Sequence, residues 1–347
     1  MEMVTLGADS HKATHTLVAV DGAARELGHR TFAATTSGHL EALAWALQWS
    51  DRRWAMEDCR HVSRRLEHDL LGAGETVVRV PPKLMAGARS SARTRGKSDP
   101  IDALAVARAA VREPDLPPAT MDGASRELRL LVDHREDLVN ERTRIQNRLR
   151  WHLHELNPGG PAVGNLSRKK GVDLLDEELA HHHGLVADLA RDHAASIRSL
   201  NSRIGALEHE IMARTRKVAP SLLALPGCGF LTAAKLVGEV GGAARFKSRA
   251  AFAMHNGTAP IPVWSGRADR FRLNRGGNRK LNTALHTIAL TQLRLEGPGK
   301  HYIAKRVSLG NTKREAIRAL RRRISDEVYR RMRLDEGAGL EATALAA

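Results

Sequence analysis

Apolar and polar positions alternate in short runs over the first hundred residues, and apolar residues then recur at helical spacing. Three early runs, "EMVTLGAD", "THTLVAV" and "RELGHRTFAA", are typical of β-strands, and an Asp-Gly turn separates the second from the third. Two further strands, "RRWAME" and "ETVVRV", alternate with helices that begin near Ser37, near Val62 and at Asp99. This order predicts a mixed sheet covered by helices, with the fourth strand joining the first in parallel.

The chain becomes wholly helical after a proline-rich linker at 113–125. Leucines from Leu128 to Leu156 form a stripe along one long helix, and a second helix is predicted from about Asp173 to Lys217. Apolar residues of the second helix recur at alternating three and four positions, which is a heptad pattern. The pair predicts an antiparallel coiled-coil arm over 123–216, packed either within the chain or against another subunit.

The third region begins with "PSLLALPGCGFLTAAKLVGEVG", which is typical of a helix-hairpin-helix. Gly227 and Gly229 in its turn permit close approach of the backbone to a phosphate at the start of the second helix. An αα-hairpin without a ligand is the alternative; a dinucleotide-binding loop is disfavoured because no strand precedes the glycines. The predicted domains are therefore 1–122, 123–216 and 217–335, followed by a disordered tail over 336–347.

Charge is distributed unevenly along the chain. The protein has 55 Lys and Arg against 39 Asp and Glu, a formal net charge of +16. Residues 217–335 alone contain 24 basic and 7 acidic residues, so nearly all of the excess lies there. This region is the predicted nucleic-acid surface.

The cysteine content and hydropathy indicate the compartment. Two distant cysteines, Cys59 and Cys228, form neither a disulfide framework nor a cysteine zinc cluster. The sequence shows no secretory leader and no apolar run of membrane-spanning length. We therefore expect a soluble cytoplasmic protein.

Four acidic residues are candidates for a metal site. Asp99 and Asp102 flank the start of a helix, where capping explains them: Asp99 as the N-cap and Asp102 beside the positive end of the helix dipole. Asp9 and Glu57 follow the first and fourth strands, whose ends lie side by side in the predicted sheet. Because capping does not explain Asp9 and Glu57, a divalent cation shared by all four is the alternative.

The order Asp9, Glu57, Asp99, Asp102 on this strand pattern resembles the RuvC-like, ribonuclease-H-type fold with its Asp-Glu-Asp-Asp tetrad. The segment "ARTRGKSDPIDALAVARAA" resembles more specifically the corresponding segment of transposases of the insertion-sequence one-ten family. Three C-terminal segments are similar to the second domain of that family: "LLALPGCGFLTAAKLVGEVG", "RFKSRAAFAMHNGTAPIP" and "SGRADRFRLNRGGNRKLNTAL".

The resemblance implies a recombinase in which the tetrad holds two Mg²⁺ ions and Ser265 is the nucleophile. It also implies a structured bridge RNA as partner, donor and target DNA as substrates, and a dimer that assembles into a tetramer on DNA. The expected location is then the cytoplasm of a prokaryote, in association with the nucleoid. Many relatives have a second serine where this chain has Trp264.

Several basic residues after the serine are candidate phosphate ligands, because arginine binds phosphate through two parallel hydrogen bonds. They are Arg267, Arg270, Arg272 and Arg275. Two other functions stay open: a RuvC-like nuclease or junction resolvase that activates water, and a non-enzymatic DNA-binding protein.

Polar residues elsewhere are given a structural interpretation. Ser10 and His11 are interpreted as strand-end residues that meet solvent, with contact to a metal-bound water as the alternative. The histidines 181–183 are consecutive on a helix, so their side chains point to different faces and do not share one ion.

Overall fold

The computed structural model describes residues 3–57, 62–81, 84–85, 98–116, 118–119, 123–159, 164–265 and 268–346. The chain divides into two compact units, Met1–Met121 and Asp122–Ala347. No helix within the described residues is both long enough and apolar enough to cross a membrane.

The first unit is built on a five-stranded sheet. Its strands are β1 Val4–Ser10, β2 Thr14–Val20, β3 Glu26–Ala33, β4 Arg52–Glu57 and β5 Val77–Val80. Their order is β3-β2-β1-β4-β5, with β1, β4 and β5 mutually parallel and β1-β2-β3 an antiparallel meander. The predicted mixed sheet is confirmed, including the parallel pairing of the first and fourth strands. Chains of this order have the ribonuclease-H-like fold.

Helices cover both faces of the sheet. α1 (Thr36–Ala46) and α2 (Arg64–Gly72) pack on one face, where Leu6, Ala8, Trp54 and Met56 form a fully buried core with their apolar residues. α3 (Asp99–Arg112) packs on the opposite face. Because side chains of a strand alternate between faces, successive residues of β1 point into different environments.

The ends of two elements differ from expectation. The side chain of Thr35, not Ser37, caps α1 by accepting a hydrogen bond from the Gly38 backbone N–H. Part of the proline-rich linker also joins the sheet, because Pro118 forms an antiparallel bridge with Val78 beside β5. Ala119 adds a backbone hydrogen bond of 2.7 Å to Val77.

The second unit begins with three helices, of which the first and the third pack as an antiparallel pair within the chain. They are α4 Ala124–Leu156, α5 Lys169–Ala180 and α6 Leu185–Val218. The ion pair of Arg135 with Glu208 and the hydrogen bond from Arg142 to Asn201 fix the antiparallel alignment of α4 and α6. The single helix predicted from about Asp173 to Lys217 is wrong: one helix ends at Ala180 and the next begins after its N-cap Gly184, whose φ of 93° lies outside the helical region.

The remainder of this unit carries the basic region. Its elements are α7 Pro220–Leu223, α8 Phe230–Val240, a 3₁₀ turn Ala243–Arg245, α9 Arg249–His255, β6 Ile261–Ser265, β7 Ala268–Arg272, α10 Arg279–Arg294, α11 Pro298–Ser308 and α12 Lys313–Ala346. The sequence pattern did not indicate the antiparallel β6-β7 hairpin. The first helix of the predicted helix-hairpin-helix is a single turn, and α12 continues through the segment expected to be a disordered tail.

The arm and the basic region share a core. Ala234 of α8 packs with Leu128 and Val132 of α4 and with Ile211 of α6. The two segments that the sequence divides at 216 therefore contact each other through buried apolar residues. The boundaries 123–216 and 217–335 remain a sequence prediction.

Candidate active site

The carboxyl ends of β1 and β4 place two predicted acids at one edge of the sheet. Ala8 pairs with Met56, and the residues that follow are Asp9, one residue before the end of β1, and Glu57, the last residue of β4. Leu6 and Ala8 face α1 and α2, so alternation turns Asp9 toward the face that α3 covers. This edge is where the sequence predicts the acids to converge.

Gly7 sets how closely α3 approaches this face. A Cβ added to Gly7 would lie 2.3 Å from the Ala103 carbonyl oxygen and 2.5 Å from the Ala107 backbone nitrogen. Only a residue without a side chain permits this contact. Because Asp99 and Asp102 lie within the turn before Ala103, the contact holds the start of α3 beside Asp9.

The start of α3 differs from the capping interpretation. Ser98 is the N-cap, with φ −150° and ψ 152°, whereas Asp99 and Asp102 lie in the first helical turn. Asp99 is therefore not the predicted N-cap. Capping no longer accounts for this carboxylate, although an acid in the first turn still interacts favourably with the helix dipole.

Asp9, His11 and Asp99 come together at this edge. The His11 Nε2 atom lies 3.1 Å from Asp9 Oδ2 and 3.4 Å from Asp99 Oδ1. The Asp9 side chain is 14% exposed, while those of His11 and Asp99 are about half exposed. One imidazole nitrogen thus lies between two carboxylates, at a site that opens to solvent on one side.

Burial raises the pKa of Asp9 above its ordinary value. The charge and hydrogen bond of His11 oppose this rise, whereas the negative charges of Asp102 and Asp99 add to it. A carboxylate held among other carboxylates in a partly buried position gains from a nearby cation. A cation bound at this edge would favour the ionised form of Asp9.

The donor set fits a divalent cation. One ligand atom from each of Asp9, His11 and Asp99 lies within 4.8 Å of the others. Ligand bonds of about 2.0–2.6 Å to a hard cation span such a separation. Carboxylate oxygens are the ligands that Mg²⁺ prefers. An imidazole nitrogen is a poorer ligand for Mn²⁺ than for softer metals.

The remaining two acids of the predicted tetrad lie near this group but are not among its three closest donors. Asp102 acts on Asp9 electrostatically, in the direction that raises the pKa of Asp9. Glu57 is half-buried at the end of β4. All four acids are thus on the elements that meet at this edge.

Ser265 and the arginines lie on or near the β6-β7 hairpin of the second unit. The backbone of Ser265 ends β6 and pairs with Ala268. Arg267 lies outside the described residues, and only the backbone of Arg270 is described, in β7. Arg272 and Arg275 are exposed. The nucleophile and phosphate-ligand roles of these residues remain predictions.

The turn with Gly227 and Gly229 precedes α8 and packs against α10, where a Cβ on Gly227 would lie 3.0 Å from the Ile288 carbonyl oxygen. Gly227 has φ 83°, in the left-handed region that favours glycine. Gly229 is the N-cap of α8, and a Cβ there would meet open space. An open groove beside this turn is also lined by Thr232, Thr287 and Thr291. The phosphate-binding role of the two glycines remains a prediction.

Two residues that shape the site were not among the predicted site residues. His11 was interpreted as solvent-facing, yet its position two residues after Asp9 was the available signal. Gly7 lies two residues before Asp9 on the same face, and its small size in an apolar strand was the only hint of a close contact.

Comparison with solved structures and curated relatives gives two kinds of match. Two structures of Thermus thermophilus RuvC, one in complex with a Holliday junction substrate, each match 34% of this chain at 15% identity, with a TM-score of 0.27. The match covers 99% and 100% of those chains. The sheet order β3-β2-β1-β4-β5 is the feature that defines the fold of the first unit.

Curated relatives match over nearly the full length. The uncharacterized 44.8 kDa protein of insertion element IS116 from Streptomyces clavuligerus is 27% identical, covering 96% of this chain and 95% of the relative. The uncharacterized 42 kDa protein of insertion element IS900 from Mycobacterium paratuberculosis is also 27% identical, covering 92% and 93%.

Two family models match separate parts of the chain. Residues 6–158 match the DEDD model of the IS110 family, which is described as a transposase. Residues 219–304 match the model described as the transposase IS116/IS110/IS902 family. The first match contains the edge of β1, β4 and α3 with its acids, and the second contains the β6-β7 hairpin. The chain therefore belongs to the IS110 family of transposases and is a DNA-cutting enzyme.

Proposed function

We propose that this transposase is a serine-using DNA recombinase, guided by a structured bridge RNA and dependent on divalent metal. The observation that carries the proposal is the meeting of Asp9, His11 and Asp99 at the carboxyl edge of the sheet. Asp9, Glu57, Asp99 and Asp102 hold two Mg²⁺ ions in this proposal. Bound there, the ions supply positive charge that stabilises a phosphodiester during its cleavage.

The residues around this edge position the acids. Asp9 is held by the strand, Asp99 and Asp102 by the first turn of α3, and Gly7 sets the distance between these elements. His11 donates a hydrogen bond to Asp9 when its Nε2 atom carries a proton. This arrangement fixes carboxylate oxygens before DNA arrives, so little rearrangement is needed on binding.

Ser265 supplies the nucleophile in this proposal. Its Oγ atom loses a proton and forms a bond to phosphorus, while the bond from phosphorus to one deoxyribose oxygen breaks and that oxygen leaves as a hydroxyl. Attack by a hydroxyl of another strand reverses the step and returns the proton to Ser265. The phosphoserine conserves the energy of the phosphodiester, so strands are exchanged without a nucleotide cofactor.

The basic region contacts nucleic acid in this proposal. Arg267, Arg270, Arg272 and Arg275 bind the phosphates next to the reacting strand, and the turn with Gly227 and Gly229 binds a further backbone phosphate. The excess of 24 basic over 7 acidic residues in 217–335 supports contact with both DNA and RNA.

The acids and Ser265 belong to different compact units. We propose that a dimer, assembling into a tetramer on DNA, brings the serine of one subunit to the acids of another. The paired helices α4 and α6 then contribute to contacts between subunits as well as to their packing within the chain.

The test is covalent trapping on DNA that carries the junction of the element, with Mg²⁺ and the non-coding RNA encoded beside the gene. We expect a protein-DNA adduct with the native protein and with Ser308→Ala, an exposed serine of the same unit, but none with Ser265→Ala. Omission of the RNA is expected to abolish the adduct.

Other outcomes contradict parts of the proposal. Cleavage without any adduct favours a RuvC-like nuclease or junction resolvase that activates water. An adduct that forms equally well without RNA contradicts the guide. Cleavage that survives Asp9→Asn contradicts the role of the acidic edge.

A further inference from the structure

A second cluster of polar side chains lies on the other face of the same sheet, beneath α1 and α2. Ser10 of β1, His15 of β2 and His39 of α1 are 7%, 2% and 1% exposed. Ser10 and His15 are cross-strand partners, and His15 and His39 have ring centroids 5.2 Å apart. Because Asp9 faces α3, this cluster is separate from the acidic edge.

Each of these three residues has a buried polar atom without a hydrogen-bond partner among the described residues. The atoms are Ser10 Oγ, His15 Nδ1 and His39 Nε2. An unsatisfied buried polar atom costs about 1–3 kcal/mol, so three together at one place are unusual in a stable fold. A bound ligand among them removes this cost.

The tautomer of His39 favours a metal ligand. Its Nδ1 atom lies 2.5 Å from Asp69 Oδ2 of α2, so Nδ1 carries the proton that this carboxylate accepts. In the neutral ring, the buried Nε2 atom then has a free lone pair and no hydrogen-bond partner among the described residues. A carboxylate that orients an imidazole through its other nitrogen is the usual arrangement behind histidine metal ligands.

His15 is also in the state that binds metal. Burial, together with the charges of His39, His11 and Arg65, lowers the pKa of His15 to about 4. The ring is therefore neutral near pH 7. Two imidazoles that share one tetrahedral Zn²⁺ through bonds of about 2.0–2.1 Å have ring centroids roughly 5 Å apart, which is the separation observed here.

We propose that His15 and His39 bind one transition-metal ion of the Zn²⁺ class, through Nδ1 and Nε2 respectively. The ion links α1 to the start of β2, while Asp69 of α2 holds the His39 ring in position. Ser10 Oγ, beside His15, hydrogen-bonds to one of two waters that complete the tetrahedral coordination. The site is structural and is distinct from the proposed cleavage chemistry.

The test measures metal content and stability in an Asp9→Asn background, which removes a central ligand of the acidic edge. The protein is refolded with Zn²⁺ and freed of loosely bound metal with a weak chelator. We expect one equivalent of retained Zn²⁺ and a higher melting temperature than for metal-free protein. Replacement with Co²⁺ is expected to give the visible absorption of a tetrahedral site.

Two variants and a matched control decide the outcome. His39→Asn keeps a donor near Asp69 but lacks the Nε2 atom, and His15→Gln replaces the second ligand; each is expected to lose the equivalent of Zn²⁺ and its stabilisation. His29→Asn, an exposed histidine of β3, is expected to retain both. Circular dichroism verifies that each variant folds.

Retention of Zn²⁺ by folded His39→Asn or His15→Gln overturns the proposal. The proposal is also overturned if the native protein retains no Zn²⁺ and its crystal structure shows only a water bonded to Ser10 Oγ, His15 Nδ1 and His39 Nε2. Both results are independent of whether the protein cleaves DNA through Ser265.

Discussion

Replacement of Gly7 by alanine tests whether the distance between β1 and α3 determines the activity of the acidic edge. The new methyl group would lie 2.3 Å from the Ala103 carbonyl oxygen and 2.7 Å from the Ala107 Cβ atom, whereas ordinary contacts begin near 3.4 Å. Two of the nearest atoms belong to the backbone of α3, so rotation of a side chain does not relieve the clash. The helix must retract by about 1 Å, the scale at which packed interiors are perturbed by an added methyl group.

Two effects follow from a retraction of this size. Overpacking of a close-packed interior costs about 1–3 kcal/mol, which a domain with about 5–15 kcal/mol of stability survives. Displacement of catalytic groups by about 1 Å can reduce the rate roughly 10²-fold. Because Asp99 and Asp102 move with α3 while Asp9 stays with β1, we also expect weaker binding of Mn²⁺.

The assays are urea unfolding, Mn²⁺ titration and cleavage of junction DNA. Gly72→Ala is the matched control, because Gly72 lies in the same unit at the end of α2 and a Cβ there meets no atom within 4 Å. This control is expected to stay within about 0.5 kcal/mol of the native stability and to keep full activity. If Gly7→Ala has the same stability, metal affinity and cleavage rate as the native protein, the reasoning is refuted.

Three further predictions concern single side chains. Asp99→Asn is expected to raise the Mn²⁺ concentration for half-maximal cleavage roughly tenfold, because one charged ligand is lost; an unchanged titration contradicts its role. In a Cys59→Ser background, Cys228 is expected to react with a disulfide reagent only on unfolding, because burial raises the pKa of its thiol to about 12; rapid reaction of the native protein contradicts this. Hydrogen bonds from Arg330 and the next arginine lower the pKa of Glu327 to about 2, so the stability lost in Glu327→Gln is expected to be present above about pH 4.5 and to vanish as the pH falls toward 2; a pH-independent difference in urea unfolding contradicts it.

The sequence predicted the first unit well because its signals are local. Alternation identified β1, β2, β4 and β5, and the parallel pairing of β1 with β4 follows from the strand order that the helices impose. The placement of Asp9 and Glu57 at one edge then needed no further information. The close contact of Gly7 with α3 is different, since a glycine in a strand does not reveal which element approaches it.

The second unit was predicted less completely for physical reasons. The break before Gly184 interrupts an otherwise continuous apolar periodicity, and a single glycine within a helical pattern is ambiguous. The β6-β7 hairpin contains Pro262 and several charged residues, which weaken the strand signal. The shared core of α4, α6 and α8 joins Leu128 and Val132 of α4 to Ile211 and Ala234, which lie far along the chain, and periodicity does not encode such contacts.

Strand alternation explains how one short stretch of β1 serves two kinds of chemistry. Gly7 and Asp9 face α3, where the helix supplies Asp99 and exposed carboxylates favour a hard cation. Ser10 faces α1 and α2, where its neighbour is the neutral imidazole of His15 in an apolar setting that favours a borderline metal. A shift of β1 by one residue would exchange these environments and place Asp9 in the apolar core. The register of β1 therefore governs both sites: its pairing with β4 places Asp9 beside Glu57, and its pairing with β2 places Ser10 beside His15.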